Sequence, residues 1–327
     1  MKEEVSVIGG AGFLGTKLSE ILKKKDFNFN LYDINDKQET IKKIDVESID
    51  SLEKLKDSSI IINLAAVHRD DIKPISKYDD VNVGGALNIC SIAEKYEIKK
   101  IVFISSVAIY GNADLNTDES GEPNFFNHYG RTKYEAELIY KKWQKDDPKN
   151  RALTIIRPTV IFGEGNRGNV YNLLNQIYKK KFIMIGEGTN KKSMAYVDNV
   201  AEFIIYALKQ NNNLSIYNYV DKPDFTMNEL VLHAKKKLFR SSSIGLRIPL
   251  FFGLIGGYLF DFVSLLFSKS LPISSIRVKK FVSDSSFTSR VESSSFKPPF
   301  KLKEALDRTL TYEFIEDNSN KKVFYTE

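Results

Sequence analysis

An α/β fold, a doubly wound parallel sheet with a smaller C-terminal lobe, is predicted by three observations. Short apolar segments alternate with helical stretches through the first half of the chain. A glycine-rich turn, Gly9-Gly10-Ala11-Gly12-Phe13-Leu14-Gly15, joins the first apolar segment to the first helix. After about residue 160 the alternation weakens. Strands alternating with helices give a parallel sheet covered on both faces. The 327 residues suffice for one such unit plus a lobe.

The elements follow in order. Val5-Ser6-Val7-Ile8 is a short apolar strand. The glycine turn follows, and residues 13–25 read as a helix with Leu14, Leu18, Ile21 and Leu22 at helical spacing. Residues 29–32 form a second strand ending at Asp33, and 59–66 a third. Residues 100–104 form a fourth, leading into Ser105 and Ser106, and 153–156 a fifth, closed by Arg157-Pro158. Beyond the sheet, helices are predicted over 171–181, 197–209 and 226–239, with a loop at Asn211-Asn212-Asn213. The serine-rich stretch 283–295 reads as a flexible connection anchored by Phe287, Val291 and Phe296. The expected division is 1–160 for a Rossmann-type dinucleotide-binding domain and 161–327 for mainly a substrate lobe. Chain from about 193–222 is expected to return to the first domain.

Hydrophobic residues at 42% and charged residues at 28% are ordinary for a globular chain and exclude wholesale disorder. The net charge of +6 and pI of about 9.0 fit an anionic partner. The lysines are scattered and no basic motif with interleaved aromatics occurs, so nucleic acid is not expected. Anionic small molecules or an anionic membrane surface fit better. The single cysteine, Cys90, lies in an apolar pattern and reads as a buried small residue in a reducing compartment. The first residues enter a strand directly and leave no room for a signal peptide, which points to the cytoplasm.

Residues 248–267 stand apart, because no charge occurs from Ile248 to Phe260 and Asp261 then interrupts the run. A membrane span needs roughly 20 apolar residues. The plain reading is a buried helix of the lobe. The other is an element pressed against a membrane surface, with Arg240, Arg247, Lys269, Arg277, Lys279 and Lys280 meeting anionic lipid.

The glycine turn has a chemical reading. Gly9 permits the sharp turn, Gly12 lets backbone approach a pyrophosphate, and Gly15 permits close helix-to-sheet packing. The helix N-terminus, with Phe13 and Leu14, then offers free N–H groups to that anion. Asp33 ends the second strand, where a carboxylate accepts hydrogen bonds from an adenosine ribose and repels a 2′-phosphate, favouring NAD. Asp45 and Val46 are expected to flank the adenine, and Leu64, Ala65 and Ala66 to line the crevice after the third strand. Tyr129 and Lys133 lie four apart, on one helix face. A nearby cation favours a phenolate, so Lys133 is expected to lower Tyr129 and make it a general base. Ser106, at the carboxyl edge of the sheet, would hold the reacting oxygen. No cluster has metal-ligand spacing, so no catalytic metal is expected.

The turn Gly9–Gly15, Asp33, Ser106, Tyr129-x-x-x-Lys133 and Arg157-Pro158 resemble the extended short-chain dehydrogenase/reductase superfamily over nearly the whole chain. Ile8 and Asn63 depart from the threonine and histidine usual there. Longer strings, including Val67-His68-Arg69-Asp70-Asp71, Asn166-Arg167-Gly168-Asn169 and Ser275-Ile276-Arg277-Val278-Lys279-Lys280, resemble bacterial 4-epimerases of lipid-linked sugars. That resemblance implies interconversion of N-acetylglucosamine and N-acetylgalactosamine on undecaprenyl diphosphate, for O-antigen assembly, with NAD as cofactor and a transient 4-keto sugar. Peripheral contact with the inner face of the plasma membrane is a further expectation, and a homodimer is implied by analogy alone. Arg277, then Arg167, are the expected diphosphate cations, Asn169 a sugar contact, and His68 and Arg69 face the same crevice. The rivals are a UDP-N-acetylglucosamine or UDP-glucose 4-epimerase, and a 4-keto-sugar or 3β-hydroxysteroid oxidoreductase. A dehydratase would carry Asp-Glu where Val107 and Ala108 stand.

Overall fold

The computed structural model of the chain describes residues 3–36, 38–69, 72–210, 212–267 and 275–326, with backbone alone for 262–267 and Arg277. Asp70, Asp71, Asn211 and Lys269, and the side chain of Arg277, therefore lie outside the described residues.

The main sheet is built from β1 (Glu4–Ile8), β2 (Asn28–Asp33), β3 (Ile41–Lys43), β4 (Ile60–Asn63), β5 (Lys100–Ile104), β6 (Ala152–Pro158) and, after a long excursion, Leu214–Tyr219. All neighbours pair in parallel; β4 is central in the order, and β1 lies between β4 and β2. β4 carries Ile60, Ile61 and Ile62, all buried, because both of its faces are covered. Helices α1 (Phe13–Lys24), α2 (Gly85–Lys95) and α3 (His128–Asp146) follow β1, β4 and β5. Cys90 of α2 packs into the core layer with Ile89, Ile92 and Ile101.

The predicted strands stand, with the third shortened to four residues because Leu64 and Ala65 bend over the glycine turn. Gly9 has φ +87°, and a Cβ there would meet the Ala65 nitrogen at 2.9 Å. A Cβ on Gly15 would sit 2.2 Å from the Gly9 carbonyl oxygen, so only hydrogen fits.

Beyond β6 the chain forms β7 (Val160–Phe162), α4 (Asn169–Tyr178), β8 (Met184–Ile185) and β9 (Lys191–Tyr196). Next come α5 (Val197–Leu208), the sheet's outer strand β10 (Leu214–Tyr219), β11 (Asp221–Thr226) and α6 (Met227–Phe239). α5 packs on α1, and α6 opens with a capping box between Thr226 and Glu229. β12 (Arg247–Ile248), α7 (Leu250–Phe267), α8 (Ser275–Val282) and α9 (Leu302–Phe314) complete it.

Two expectations are corrected here. The serine-rich stretch is not a loose connection. Ser285 bridges to Lys192, the Ser193 nitrogen donates to the Ser285 carbonyl at 2.7 Å, and Phe287 is buried on Tyr110. Nor is the predicted helix buried over its described side chains, 250–261. α7 seats itself through Gly253, where a Cβ would meet the Ile185 side chain at 2.5 Å, while Leu250, Phe251, Phe252, Ile255, Tyr258, Leu259 and Phe260 are exposed.

Candidate active site

The crevice lies at the carboxyl ends of the central strands, where the order reverses about β1. On its cofactor side, Asp33 accepts from the Ala11 nitrogen through Oδ2 and from the Asn35 nitrogen through Oδ1, both at 2.9 Å. This carboxylate holds the glycine turn closed as well as facing the crevice. α1 opens at Gly12 without a side-chain cap or an acidic residue in its first turn, leaving N–H groups of the Phe13–Leu14 end to an anion. A Cβ at Gly12 would come no closer than 3.3 Å to the Gly9 oxygen, so that glycine keeps the approach clear rather than filling a contact. Leu64 donates to the Ile8 carbonyl and Ala65 to Asn63 Oδ1, which fixes the opposite wall. Asp45 and Val46 follow β3, and Asn88 of α2 donates to the Val46 carbonyl at 2.9 Å. The residues expected to hold a dinucleotide thus share one edge: the N–H groups of the α1 end fit its diphosphate, and the Asp33 carboxylate fits as an acceptor for its ribose.

Ser106 and Tyr129 are brought together, while Lys133 reaches the end of β5. Ser106 caps the short turn Val107–Tyr110, with its Oγ accepting from the Ala108 nitrogen at 3.1 Å. Asn127 caps α3 through the Gly130 nitrogen at 2.8 Å. A Cβ on Gly130 would stand 2.4 Å from the Ala108 carbonyl, so this glycine allows α3 to start directly against the Ser106 turn. The Tyr129 hydroxyl is thereby set toward Ser106, whose side chain acts on its pKa. A cavity of about 210 Å³ opens beside it, lined by Ile75, Tyr78, Asn127, His128 and Tyr129 among others.

The expected lowering of Tyr129 by Lys133 is corrected by the geometry. Burial pushes the Tyr129 hydroxyl above its ordinary value, opposed by the Ser106 side chain. Lys133 is itself 2% exposed, and burial pushes its ammonium down to about 7, against the Glu137 charge. Its Nζ donates to the Ile104 carbonyl and lies 4.2 Å above the Phe103 ring. The cation is drawn to the end of β5 rather than to the phenol.

Two supports were not foreseen. Glu137, one turn beyond Lys133, receives Arg157 through Nε at 2.8 Å and Nη2 at 2.6 Å, both partners buried. Burial works to raise Glu137, yet those hydrogen bonds and the Arg157 charge hold its carboxyl below the ordinary range. The signal was available: Glu137 continues the Tyr129–Lys133 face at the same spacing. The other is Asn82, buried in a π-helical turn (Asp79–Gly84), which bonds both backbone groups of Val67 and the Thr132 hydroxyl. It ties the segment after β4 to α3, and single-turn π geometry leaves no periodic trace in a sequence.

The substrate-side residues are less unified. Arg167 is not an open cation: it pairs with Glu313 and lies 4.0 Å above the Tyr171 ring. Asn169 begins α4. His68 is exposed, with Nδ1 3.4 Å from the Ala66 carbonyl, and Arg69 follows it. Among the described residues no group of His, Cys, Asp or Glu is arranged to hold a metal.

A model of the NAD dependent epimerase/dehydratase family matches residues 5–219. The chain is 46% identical, over 100% of both lengths, to N-acetyl-alpha-D-glucosaminyl-diphospho-ditrans,octacis-undecaprenol 4-epimerase of Escherichia coli O157:H7. It is 31% identical to a putative UDP-glucose 4-epimerase of Methanocaldococcus jannaschii, over 73% of this chain and 84% of that one. Among solved structures, UDP-N-acetylglucosamine 4-epimerase from Bacillus cereus superposes with a TM-score of 0.76 at 17% identity, over 97% of this chain and 98% of that one. UDP-glucose 4-epimerase from Thermotoga maritima gives 0.74 at 19%, over 94% and 98%. These two likenesses speak for the fold.

Proposed function

The chain belongs to the NAD dependent epimerase/dehydratase family, and on that premise we propose that it interconverts N-acetylglucosamine and N-acetylgalactosamine on undecaprenyl diphosphate. The full-length 46% identity to the Escherichia coli 4-epimerase carries this reading. Its place is the supply of lipid-linked sugar for surface polysaccharide such as O-antigen.

Bound NAD supplies a reversible hydride acceptor for C4 of the sugar. The chain supplies the proton chemistry and the positioning. Tyr129 removes the proton of the 4-hydroxyl and later returns it, while Ser106 holds the same oxygen. Burial sets the phenol too high to ionise readily, so the step needs a positive charge close by. Lys133, held near neutrality at the Ile104 carbonyl, is the group that provides it by turning toward the crevice. The 4-keto sugar turns over in the site, and as C4 regains its hydride on the other face the same tyrosine gives its proton back to the 4-oxygen. Val107 and Ala108 can give no proton, which disfavours loss of water instead.

The carrier side rests on α7. Its exposed aromatic and aliphatic row, with Lys279 placed 5.5 Å from the Tyr258 ring and Lys280 beside it on α8, fits a peripheral contact with an anionic membrane surface. No helix among the described residues is long and apolar enough to cross a membrane. Arg277, on α8 two residues before Lys279, remains the proposed diphosphate cation. A homodimer is part of the same proposal, and light scattering checks it.

A nucleotide-sugar 4-epimerase acting on UDP-N-acetylglucosamine or UDP-glucose is the second reading, favoured by the 31% identity to a putative UDP-glucose 4-epimerase. Purified protein is to be offered undecaprenyl-diphosphate-linked N-acetylglucosamine and UDP-N-acetylglucosamine in parallel, with no coenzyme added. Epimer from the lipid-linked sugar supports the proposal. Product from the nucleotide sugar alone overturns it in favour of the second reading, and a requirement for one equivalent of coenzyme per turnover points to an oxidoreductase.

A further inference from the structure

Residues 322–326 run across the mouth of the dinucleotide crevice. Lys322 Nζ donates to the Ala11 carbonyl at 3.1 Å, inside the glycine turn. The Phe324 ring packs on Phe13, the first residue of α1, with centroids 5.5 Å apart. The Phe324 nitrogen donates to the Gly165 carbonyl at 2.9 Å, and the Arg167 nitrogen to the Phe324 carbonyl at 2.7 Å. Thr326 donates from Oγ1 to Asn166 Oδ1 at 2.6 Å, and its backbone faces the His68 ring. The segment therefore touches the turn after β1, the chain after β4, and the loop after β7.

That loop is shaped to receive it. Gly165 has φ +82°, and a Cβ there would meet the Lys322 carbonyl at 3.1 Å. A Cβ on Gly168 would stand 2.6 Å from Thr326 Oγ1. Two glycines thus make room for this one segment, which is not the behaviour of a frayed terminus. It also accounts for Arg167, whose pairing with Glu313 holds the same loop while its backbone bonds Phe324.

Lys322 is the chemically informative residue. Its ammonium sits at the Ala11 carbonyl, lies 4.6 Å from the Phe324 ring, and feels the Asp33 carboxylate across the turn. A dinucleotide on the glycine turn sets its diphosphate at the α1 N-terminus and its adenosine ribose toward Asp33. One cation between those two places meets a dianion. We infer that Lys322 is a cofactor-binding residue for the NAD diphosphate, and that residues 322–326 form a strap that must lift before NAD leaves. The inference rests on the NAD-dependent reading above. It suits a reaction in which hydride returns to the sugar it came from, because the cofactor has no need to exchange between cycles.

The test measures NAD dissociation from the full-length loaded protein, by displacement and by nucleotide retained after gel filtration. Lys322→Gln is expected to speed NAD loss about tenfold, as loss of a charge-assisted hydrogen bond would, and to flatten its salt dependence. Lys321→Gln is the control, since Lys321 lies 5.3 Å from the Tyr312 ring on α9. It is expected to leave NAD loss unchanged. Hydrogen exchange at the Phe324 and Arg167 amides of the unaltered protein is expected to slow when NAD is bound. Equal NAD loss from Lys322→Gln and the parent, or faster exchange at those amides on loading, overturns the inference and marks the segment as a plug that NAD displaces. A parent protein that takes up no NAD at all instead sinks the NAD-dependent reading itself.

Discussion

Helices α3 and α7 invert one another. α3 hides what water would welcome: Lys133 is 2% exposed and Glu137 fully buried. α7 shows what water rejects: Phe251 is 67% exposed, and Phe252 and Leu259 are both 61% exposed. Desolvating an ammonium is costly, so its burial one helical turn from Tyr129 fits the chemistry proposed there. A row of large apolar side chains left in the open, on a helix seated through glycine, marks a surface awaiting contact. Both helices break the ordinary burial rule, in opposite directions, and both departures fall on the proposed reaction: one on the sugar, the other on its carrier.

The largest effect expected on this contrast comes from Tyr129→Phe. Turnover should fall about a thousandfold, with NAD still retained, measured by epimer formation and bound nucleotide. Full activity would remove the tyrosine from the chemistry and leave α3 a merely structural oddity. Next comes Arg157→Ala, which strands Glu137 without its partner. Breaking a buried pair costs about 3–5 kcal/mol, read as a lower urea midpoint. A stability unchanged within 1 kcal/mol would show that water reaches this pair.

On α7, replacing Phe251, Phe252 and Leu259 together by Asp should cut binding to vesicles rich in anionic lipid at least tenfold, since each side chain can bury about 1.5–3 kcal/mol of transfer energy. Denaturant stability should stay within about 0.5 kcal/mol. A large loss of stability would mean that α7 is core after all, and the contrast with α3 would disappear.

The smallest effect is a slope. Lys133 titrates near 7 in the folded cofactor-free chain and near 10.5 when unfolded. Between those values the unfolded chain binds the extra proton, so stability should rise with pH from about 7 to about 10.5, and below about 7, where both states carry the proton, this contribution should be flat. Lys133→Met should flatten the rise. A parent and variant with parallel profiles would show an ammonium better solvated than its surroundings suggest.

Much of this was legible beforehand. The glycine turn, Asp33, Ser106, Tyr129 and Lys133 are local signals: each sits within a few residues of the strand or helix that aims it, and the fold delivers them to one edge. What could not be read are pairings across long separations. Asn82 meets Val67 and Thr132, Glu137 meets Arg157, and Lys322 meets Ala11, 311 residues away. The serine-rich stretch misled because its composition is that of a linker, while its backbone is held by Ser193 and Asn116. The sign of the Tyr129 shift failed for a related reason. Spacing on a helix says that two side chains share a face, but not that a carbonyl two residues before Ser106 will draw the lysine away.

Cys90 has a practical consequence. It is the only cysteine of the chain, and burial pushes its thiol up to about 12. Almost no thiolate exists there at neutral pH, so maleimide chemistry will pass it by. A cysteine introduced at Tyr325 or at Phe252, both exposed, would accept a fluorophore or spin label over a silent native background. The opening of one end of the molecule and the docking of the other can then each be watched by spectroscopy without first re-engineering the interior.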